Sequence, residues 1–277
     1  MPLLDAGFTR SDLTYTTVAV WSGRFFRIDD HIDRLFLGCE RIRITPVVTK
    51  EETVAIMAKA VQKTGLREAC VTAVITRGVP KPGEHDPRRW EPRLYVYATP
   101  FLWIVRPEAQ ERGTDAVVTR HTRRIAPDAV DPTVKNFHWG DLVRGQFEAF
   151  DRGGSVAILP DGNGLVTEGA GFNVFAMVDG CLHTPARGVL EGITRRTVIE
   201  IAMDAGIEVH AGDVRVNDLY RAAEVFITST AGGVMPVATL DGKPVGQQAP
   251  GPVTERIRTR YWELHHDPAY TREIIYE

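Results

Sequence analysis

The chain has 277 residues, 43% of them hydrophobic and 25% charged, and a formal net charge of −3. This is the composition of an ordinary globular protein, and the weakly negative charge excludes the basic surface expected of a protein that binds nucleic acid or an anionic membrane. No apolar run approaches the roughly 20 residues that cross a bilayer, and the first residues lack the pattern of a secretory signal.

The first half of the chain alternates predicted strands and helices. Asp29 and Asp30 predict the cap of a helix whose apolar residues follow the 3.6-residue period. A second helix is predicted from about Lys50 to Gly65, since glycine commonly ends a helix. The polar loop 78–92 is long, and a loop of that length is more often functional than idle. The strands predicted here are 15–21, 24–28, 71–76 and 94–98.

An irregular segment with two prolines, 121–132, predicts the connection between two domains, 1–120 and 133–277. Turn residues at Asp161–Gly164 and at Asp179-Gly180 predict hairpins. We therefore expect an α/β fold, in the α+β sense, of two domains with a ligand cleft between them. After the connection the sequence predicts helices 138–151 and 194–205 and strands 156–159, 165–168, 173–177, 207–210 and 225–228.

Cysteine and histidine spacing indicates neither a disulfide framework nor a metal site. The three cysteines stand far apart and are odd in number, which suits a reducing cytoplasm. The eight histidines are scattered apart from His265 and His266, which we interpret as a solvated surface pair. We therefore expect a cytoplasmic protein that holds no metal.

The segment Val134-Lys135-Asn136-Phe137-His138-Trp139 sets a lysine among apolar and aromatic residues. An arbitrary lysine in such a segment is usually a surface lysine beside buried neighbours. A desolvated lysine is the alternative, because desolvation disfavours the ammonium form and makes the neutral amine available to attack an aldehyde.

Two further segments have the residues of phosphate-binding loops. Gly188–Thr194 comes immediately before an amphipathic helix, where free N–H groups bind phosphate, although Thr194 could simply cap that helix. Thr228–Gly233 runs from a strand into hydroxyl and glycine residues, and a tight turn would explain it equally well. An amine and two phosphate-type loops are together the minimum for holding pyridoxal 5′-phosphate.

In this order the motifs resemble those of the fold-type IV pyridoxal-phosphate enzymes. This group comprises branched-chain and D-amino-acid aminotransferases, aminodeoxychorismate lyases and R-selective amine transaminases. HIDRL indicates Arg34 as a phosphate ligand, VKNFHWGDL indicates Lys135, and VTEGAGFNVF indicates Glu168. The resemblance implies a smaller N-terminal α/β domain, a larger barrel-like C-terminal domain that binds the cofactor, and a homodimer with its sites at the interface.

The resemblance also implies a role for each of these residues. Lys135 would hold pyridoxal 5′-phosphate as a Schiff base and then act as the general base that shuttles the proton. Glu168 would face the pyridine nitrogen and keep it protonated, and Arg34 would bind the phosphate with paired N–H donors. The remaining cofactor contacts implied by GVLEGITR, STAGG and the lysine motif are Leu190, Ile193, Thr194, Thr230 and Trp139.

Within this group the segments SDLTYTTVAVWSGRFFRIDDH, VTEGAGFNVF and GPVTERIRTRYWEL are most similar to R-selective amine transaminases. This likeness implies transfer of an amino group from an R-configured primary amine or a D-amino acid to a keto acid such as pyruvate. Arg10, Thr17, Cys70 and Thr72 depart from the pattern of those enzymes. The expected substrate pocket is Tyr15, Thr17, Thr72, Arg88, Trp90 and Ala231.

Several alternatives stay open at this point. Any of Arg77, Arg88 and Arg89 could bind a substrate carboxylate, and all three could instead be solvated loop residues. A D-amino-acid or branched-chain amino-acid aminotransferase is the nearest alternative function. An aminodeoxychorismate lyase and a non-catalytic scaffold are less favoured, the scaffold because packing alone requires neither Lys135 nor Glu168.

Overall fold

The computed structural model describes residues 2–276, which divide into two compact units. The first unit comprises the described residues of Met1–Leu102, Val134–His138 and His265–Glu277, and the second comprises Trp103–Thr133 and Trp139–Leu264. Each unit has its own β-sheet, of five strands in the first and nine in the second. Within residues 2–276, no helix combines the length and the apolar character needed to cross a bilayer.

The helices are α1 Ala6–Arg10, α2 Ile28–Arg41, α3 Lys50–Thr64, α4 Pro107–Gln110, α5 Gly140–Asp151, α6 Ile193–Asp204, α7 Val216–Arg221 and α8 Pro252–Glu263. The strands are β1 Leu13–Trp21, β2 Arg24–Phe26, β3 Ala69–Thr76, β4 Arg93–Pro100, β5 Thr114–Val118, β6 Val156–Ile158, β7 Glu168–Gly169, β8 Phe172–Val178, β9 Cys181–Pro185, β10 Val209–Gly212, β11 Glu224–Ser229, β12 Gly233–Leu240, β13 Lys243–Pro244 and β14 Thr271–Glu273.

The sheet of the first unit has the order β14-β2-β1-β3-β4, and all its neighbouring strands are antiparallel. The register of β1 on β3 sets Tyr15 opposite Val74 and Thr17 opposite Thr72. Because side chains alternate along a strand, these four lie on one face, and Val18 lies on the other. Val18 belongs to the core that α2 and α3 form against the sheet. The face that carries Tyr15 and Thr17 is therefore the one that these helices do not cover.

The predicted helix from Lys50 to Gly65 is confirmed, and both of its ends have local causes. Thr49 caps α3 by accepting from the backbone N–H of Glu52, and the Glu52 side chain accepts from the N–H of Thr49. This reciprocal capping box satisfies two N–H groups that a helix start leaves without partners. Gly65 follows the helix at φ 69°, a left-handed conformation that glycine adopts without steric cost.

The predicted cap of the preceding helix is wrong. α2 begins at Ile28, and Arg27 is its N-cap residue at φ 50°. Asp29 and Asp30 instead lie in the first turn, where a negative charge interacts favourably with the helix dipole. Acidic residues are common both at the N-cap and in the first turn of a helix. The sequence pattern therefore located the helix but placed its start too late in the chain.

The sheet of the second unit has the order β10-β9-β8-β11-β12-β5-β6, with β7 beside β8 and β13 beside β12. The pairs β5 with β6, β5 with β12 and β9 with β10 are parallel, and the other pairs are antiparallel. Val174, Ile227 and Met235 are among the fully buried residues of its core. The sequence pattern predicted neither β5 nor β12.

Turn chemistry in the second unit is confirmed at one hairpin and incomplete at another. Asp179 and Gly180 join β8 to β9 with φ values of 50° and 82°, the pair of positive angles that a two-residue hairpin turn requires. The predicted strand 165–168 is wrong in extent, because only its last residue lies in β7. Leu165 instead forms an isolated bridge to Arg215, so this stretch does not run along a single partner strand.

Candidate active site

Lys135 lies in an irregular segment that is attached to β1 in the first unit. Its carbonyl accepts from the backbone N–H of Tyr15 at 3.0 Å, and the N–H of Phe137 donates to Oγ of Ser11 at 3.1 Å. The side chain of Asn136 bonds within the same segment, donating to Val134 O and accepting from His138 N. These bonds fix the backbone on both sides of the lysine.

The side chain of Lys135 is half-buried, and its Nζ lies 4.6 Å from the centroid of the Tyr15 ring. An ammonium group at this distance from an aromatic face is attracted by about 0.5–2 kcal/mol. The Tyr15 ring also contacts Phe137, with ring centroids 4.6 Å apart. The sequence therefore indicated correctly that this lysine has aromatic neighbours, and the structure identifies Tyr15 as one of them.

The predicted pocket residues Tyr15, Thr17 and Thr72 share one face of the first sheet. The hydroxyl oxygens of Thr17 and Thr72 are 2.9 Å apart across the two strands. Tyr95 was not among the residues predicted from the sequence. The strand register sets it opposite Val74, and it packs against the cluster of Leu13, Tyr15 and Val74. The structure thus brings these residues together as a wall of aromatic rings and threonine hydroxyls beside Lys135.

A fully buried carboxylate orients Tyr95. Its hydroxyl donates to Oδ2 of Asp5 at 2.8 Å, and Oδ1 of Asp5 accepts from the N–H of Gly7 at the start of α1. Burial, together with the hydrogen bond to Asp5, raises the pKa of the Tyr95 hydroxyl. Tyr95 is therefore a neutral donor whose position is fixed by the N-terminal helix.

Arg34, the expected phosphate ligand, lies on α2. One of its Nη atoms donates to Oγ1 of Thr16 at 3.4 Å, and the same oxygen is 2.9 Å from Nδ1 of the buried His31. Thr16 alternates with Tyr15 along β1, so its side chain lies on the helix-covered side of the sheet. The structure groups Arg34 with Thr16 and His31, and it places Tyr15 on the opposite face.

The three arginines considered as carboxylate ligands have different partners. Arg77 binds Asp12, with its Nε 2.6 Å from Oδ2, and also donates to two backbone carbonyls, so it holds the fold together. Arg88 lies on the surface and pairs with Asp86 at 2.7 Å, and the hydrogen bond from Arg88 lowers the pKa of Asp86 to about 2. The Arg89 side chain lies 3.3 Å from a carboxylate oxygen of Glu84.

Trp90, predicted to line the substrate pocket, is buried at the end of the same loop. The guanidinium carbon of Arg10 lies 5.0 Å from the centroid of its ring. Nε1 of Trp90 is buried and makes no hydrogen bond with the described residues. Arg10, one of the departures from the amine transaminase pattern, thus packs on a predicted pocket residue.

Glu168 lies in β7 of the second unit, and its side chain is only 8% exposed. Its Oε1 accepts from Nε of Arg124 at 3.2 Å, and its Oε2 accepts from the N–H of Leu190 at 2.9 Å. Arg124 also donates from Nη1 to Oδ2 of Asp141 at 2.7 Å. Arg124 lies in the predicted connecting segment 121–132, and Asp141 was not predicted as a site residue although it belongs to the lysine motif.

The start of α6 has the donors of an anion site. Gly192 is the N-cap residue and supplies no side-chain cap, so the first N–H groups of the helix remain available. Thr194 is buried, with its hydroxyl 3.4 Å from that of Tyr261. Oγ1 of Thr228 is buried in the same unit and makes no hydrogen bond with the described residues. Ile193 and Thr194 are thus the first residues of a helix without a side-chain cap.

The remaining predicted residues also belong to the second unit. Thr230 and Ala231 form the turn between β11 and β12, where the N–H of Ala231 donates to Oγ of Ser229 at 3.1 Å. Gly232 follows at φ 135°, a conformation that a residue with a side chain rarely adopts. Trp139 is half-buried immediately before α5 and packs against the small apolar cluster beneath that helix.

The chain is similar to known aminotransferases. A family model described as amino-transferase class IV matches residues 13–240. The chain is 32% identical over 265 residues to a putative branched-chain-amino-acid aminotransferase of Methanocaldococcus jannaschii, covering 95% of this chain and 90% of the relative. It is 31% identical over 263 residues to a D-alanine aminotransferase of Listeria monocytogenes, covering 94% of this chain and 89% of the relative.

Solved structures are similar over nearly the whole chain. The branched-chain amino acid aminotransferase of Escherichia coli superposes with a TM-score of 0.93 at 27% identity, covering 99% of this chain and 94% of that one. The branched-chain aminotransferase of Thermoproteus uzoniensis, solved with norvaline, gives 0.90 at 27% identity, covering 99% and 94%. The fold class expected from the sequence is thereby confirmed.

Proposed function

Because the chain belongs to the class IV aminotransferases, which use pyridoxal 5′-phosphate, we propose that it transfers an amino group from a primary amine of R configuration, or from a D-amino acid, to a keto acid such as pyruvate. The observation that carries this proposal is the position of the Lys135 amine. Its Nζ lies 4.6 Å from the centroid of the Tyr15 ring, beside a wall of aromatic and threonine side chains. An amine held there has the chemistry that transamination requires.

The residues present fit the cofactor. When bound, pyridoxal 5′-phosphate supplies an electrophilic carbonyl carbon and a ring that accepts electrons. The uncapped start of α6 and the buried Thr228 hydroxyl, which has no partner among the described residues, suit a phosphate. We assign Arg34, Ile193, Thr194 and Thr230 to the phosphate, and Leu190 and Trp139 to the ring faces.

Lys135 and Glu168 have the two chemical roles in this proposal. Lys135 would hold the cofactor through its amine, and as a free amine it would serve as the general base that carries the proton taken from the donor carbon. Glu168 holds a proton at the pyridine nitrogen, which a carboxylate stabilises better than a neutral group does. The Tyr15 ring lies beside the Lys135 amine and limits where its Nζ can move.

The sheet face beside Lys135 supports the choice of donor. Tyr15, Tyr95 and Phe137 offer aromatic surface to an aryl group, and Thr17 with Thr72 offers hydroxyl groups to a polar one. Trp90 and Ala231 complete the proposed pocket. Arg88 now pairs with Asp86. It would release Asp86 and bind the carboxylate of the keto acid in its place.

An amino-acid aminotransferase of the D-alanine or branched-chain type is the second candidate function. The names of the relatives favour it, since the proteins that this chain matches at 31–32% identity are described as acting on those amino acids. The same cofactor-binding residues would serve either donor. The two candidate functions differ only in which amino donor the proposed substrate pocket accepts.

One spectroscopic experiment separates these functions. The visible absorption of the purified holoenzyme is followed while R-1-phenylethylamine, S-1-phenylethylamine, D-alanine and L-leucine are added separately. Bleaching by the R-amine and not by the S-amine supports the proposal, and bleaching by amino acids alone supports the second candidate. Release of pyruvate from aminodeoxychorismate without an acceptor would identify a lyase. An unchanged transamination rate in Lys135→Ala would overturn the mechanism.

We also propose a homodimer, and an apolar stripe on α5 supports it. Val143, Phe147 and Phe150 are exposed at helical spacing, and the two phenylalanine rings meet edge to face with centroids 6.3 Å apart. A contiguous apolar patch on a surface commonly marks an association site, and here we assign it to a second copy of the chain. Sedimentation of Phe147→Asp tests this assignment: a monomer supports it, and an undiminished dimer rejects it.

A cytoplasmic location is proposed on the cysteines. Cys39, Cys70 and Cys181 are all free thiols in the structure. Free thiols persist in a reducing compartment. Fractionation of cells that express the tagged full chain, with an antibody to the tag, checks the location.

A further inference from the structure

Three charged side chains form one cluster in the second unit. The guanidinium of Arg124 lies between two carboxylates, with Nε 3.2 Å from Oε1 of Glu168 and Nη1 2.7 Å from Oδ2 of Asp141. The side chains are 6% exposed for Arg124, 8% for Glu168 and 15% for Asp141. We call these three residues the Arg124 cluster.

Backbone hydrogen bonds fix the positions of Arg124 and Asp141. Oδ2 of Asp141 also accepts from the N–H of Ile125 at 2.7 Å, and the N–H of Arg124 donates to Pro160 O at 3.0 Å. Asp141 stands in the first turn of α5, where a negative charge is favourable. Arg124 is therefore held by its backbone and by Asp141, and it presents Nε to Glu168 in a set orientation.

Two carboxylates share the one guanidinium of the cluster. A nearby cation favours the ionised form of a carboxyl group, and a nearby anion disfavours it. Arg124 therefore stabilises the charged form of Glu168 and fixes the direction in which its carboxylate faces, and Asp141 opposes part of that stabilisation by binding the same guanidinium.

We propose that Arg124 and Asp141 are positioning residues that set the proton affinity and the orientation of Glu168. This rests on the proposed function, in which Glu168 holds the proton at the pyridine nitrogen. The two residues act in opposite directions. Without the Arg124 guanidinium, the carboxyl group of Glu168 would stay protonated to higher pH. Without the Asp141 carboxylate, it would lose its proton at lower pH.

Cofactor retention as a function of pH tests the proposal. The holoenzyme is converted to its pyridoxamine phosphate form with excess amine donor, because that form has no aldehyde for Lys135 to bind. The fraction of cofactor that remains after gel filtration is then measured across the acid range. We expect Arg124→Met to move the acid midpoint up by roughly one pH unit, and Asp141→Asn to move it down by a smaller amount. Arg124→Lys keeps the charge and should restore most of the native midpoint.

Two controls separate this effect from loss of stability. Arg152→Met removes another guanidinium of the same unit, 23% exposed, that bridges Glu148 and Asp241, and it should lower the melting temperature without moving the midpoint. Glu168→Gln should abolish the acid transition that Glu168 causes. If it leaves that transition intact, the role proposed for Glu168 fails. If Glu168→Gln abolishes it while Arg124→Met and Asp141→Asn both leave the midpoint in place, the positioning proposal alone is overturned.

Discussion

Glu168 and Asn173 face each other across the β7–β8 pair, and both bind Leu190. Oε2 of Glu168 accepts from the N–H of Leu190 at 2.9 Å, and Nδ2 of Asn173 donates to its carbonyl at the same distance. The segment that leads into α6 is therefore fixed by the hairpin that carries the carboxylate.

The bond from Asn173 gives a first prediction. Asn173→Ala removes the side-chain donor to the Leu190 carbonyl, which still accepts from the N–H of Gly192 at 2.9 Å, and it loosens the segment before α6 at a cost of about 0.5–1.5 kcal/mol. Cofactor affinity should fall by roughly tenfold, which corresponds to about 1.4 kcal/mol. Titration of the apo form with pyridoxal 5′-phosphate measures this change. Asn163→Ala, in the exposed turn 161–164, is the control and should change nothing.

The hydroxyl pair of Thr17 and Thr72 predicts substrate preference. Thr17→Val replaces a hydroxyl by a methyl group of nearly the same size, and it removes a hydrogen bond of about 1 kcal/mol. The ratio of kcat/KM for R-1-phenylethylamine to that for D-alanine should rise severalfold. Thr72→Val should have the same effect, and the double variant should add little to either. Strict additivity would show that the two hydroxyls act independently.

Substitutions of Arg88 and Arg89 should differ in their effect on the KM for the keto acid. Arg88→Ala should raise the KM for pyruvate by about tenfold, because it removes a charge-assisted, two-donor bond to the carboxylate. The KM of the amine donor should stay unchanged. Arg89→Ala is the matched control, since Arg89 is also exposed and pairs with Glu84. Equal effects of the two variants would reject a specific role for Arg88.

The hydrogen bonds around Glu148 predict how the free energy of unfolding depends on pH. Burial alone would raise the pKa of its carboxyl, but hydrogen bonds from the N–H groups of Arg120, His121 and Thr122 outweigh burial and lower the pKa. A group whose pKa is lowered by folding stabilises the protein above its ordinary pKa of 4.5 and loses that effect as the pH falls through its folded value.

Glu148→Gln should therefore lower the free energy of unfolding at pH 7 by about 1–3 kcal/mol. The difference from the native protein should narrow as the pH falls below 4.5. Urea unfolding at both ends of this range measures it. Glu263→Gln removes an exposed pair with Arg260 and should cost less than about 1 kcal/mol at either pH. A difference that is constant with pH would contradict the role of the Glu148 charge.

Elements with local causes were predictable. The capping box of Thr49 and Glu52, the glycine after α3 and the Asp179-Gly180 turn all act within four residues, so the sequence shows them directly. Strand β12 was missed because Pro236 lies within it, and proline is usually confined to edge strands and bulges. Its pairing with β11 on one side and β5 on the other depends on the rest of the sheet.

The sequence by itself indicated a lysine among aromatic residues and two glycine-containing loops of the phosphate-binding type, because both are local patterns. Only the tertiary structure decided which charges meet. Arg124 lies 17 residues from Asp141 and 44 from Glu168, and nothing in the local sequence pairs them. Buried charges must be matched wherever the chain places them, and sheet register together with helix packing sets that placement.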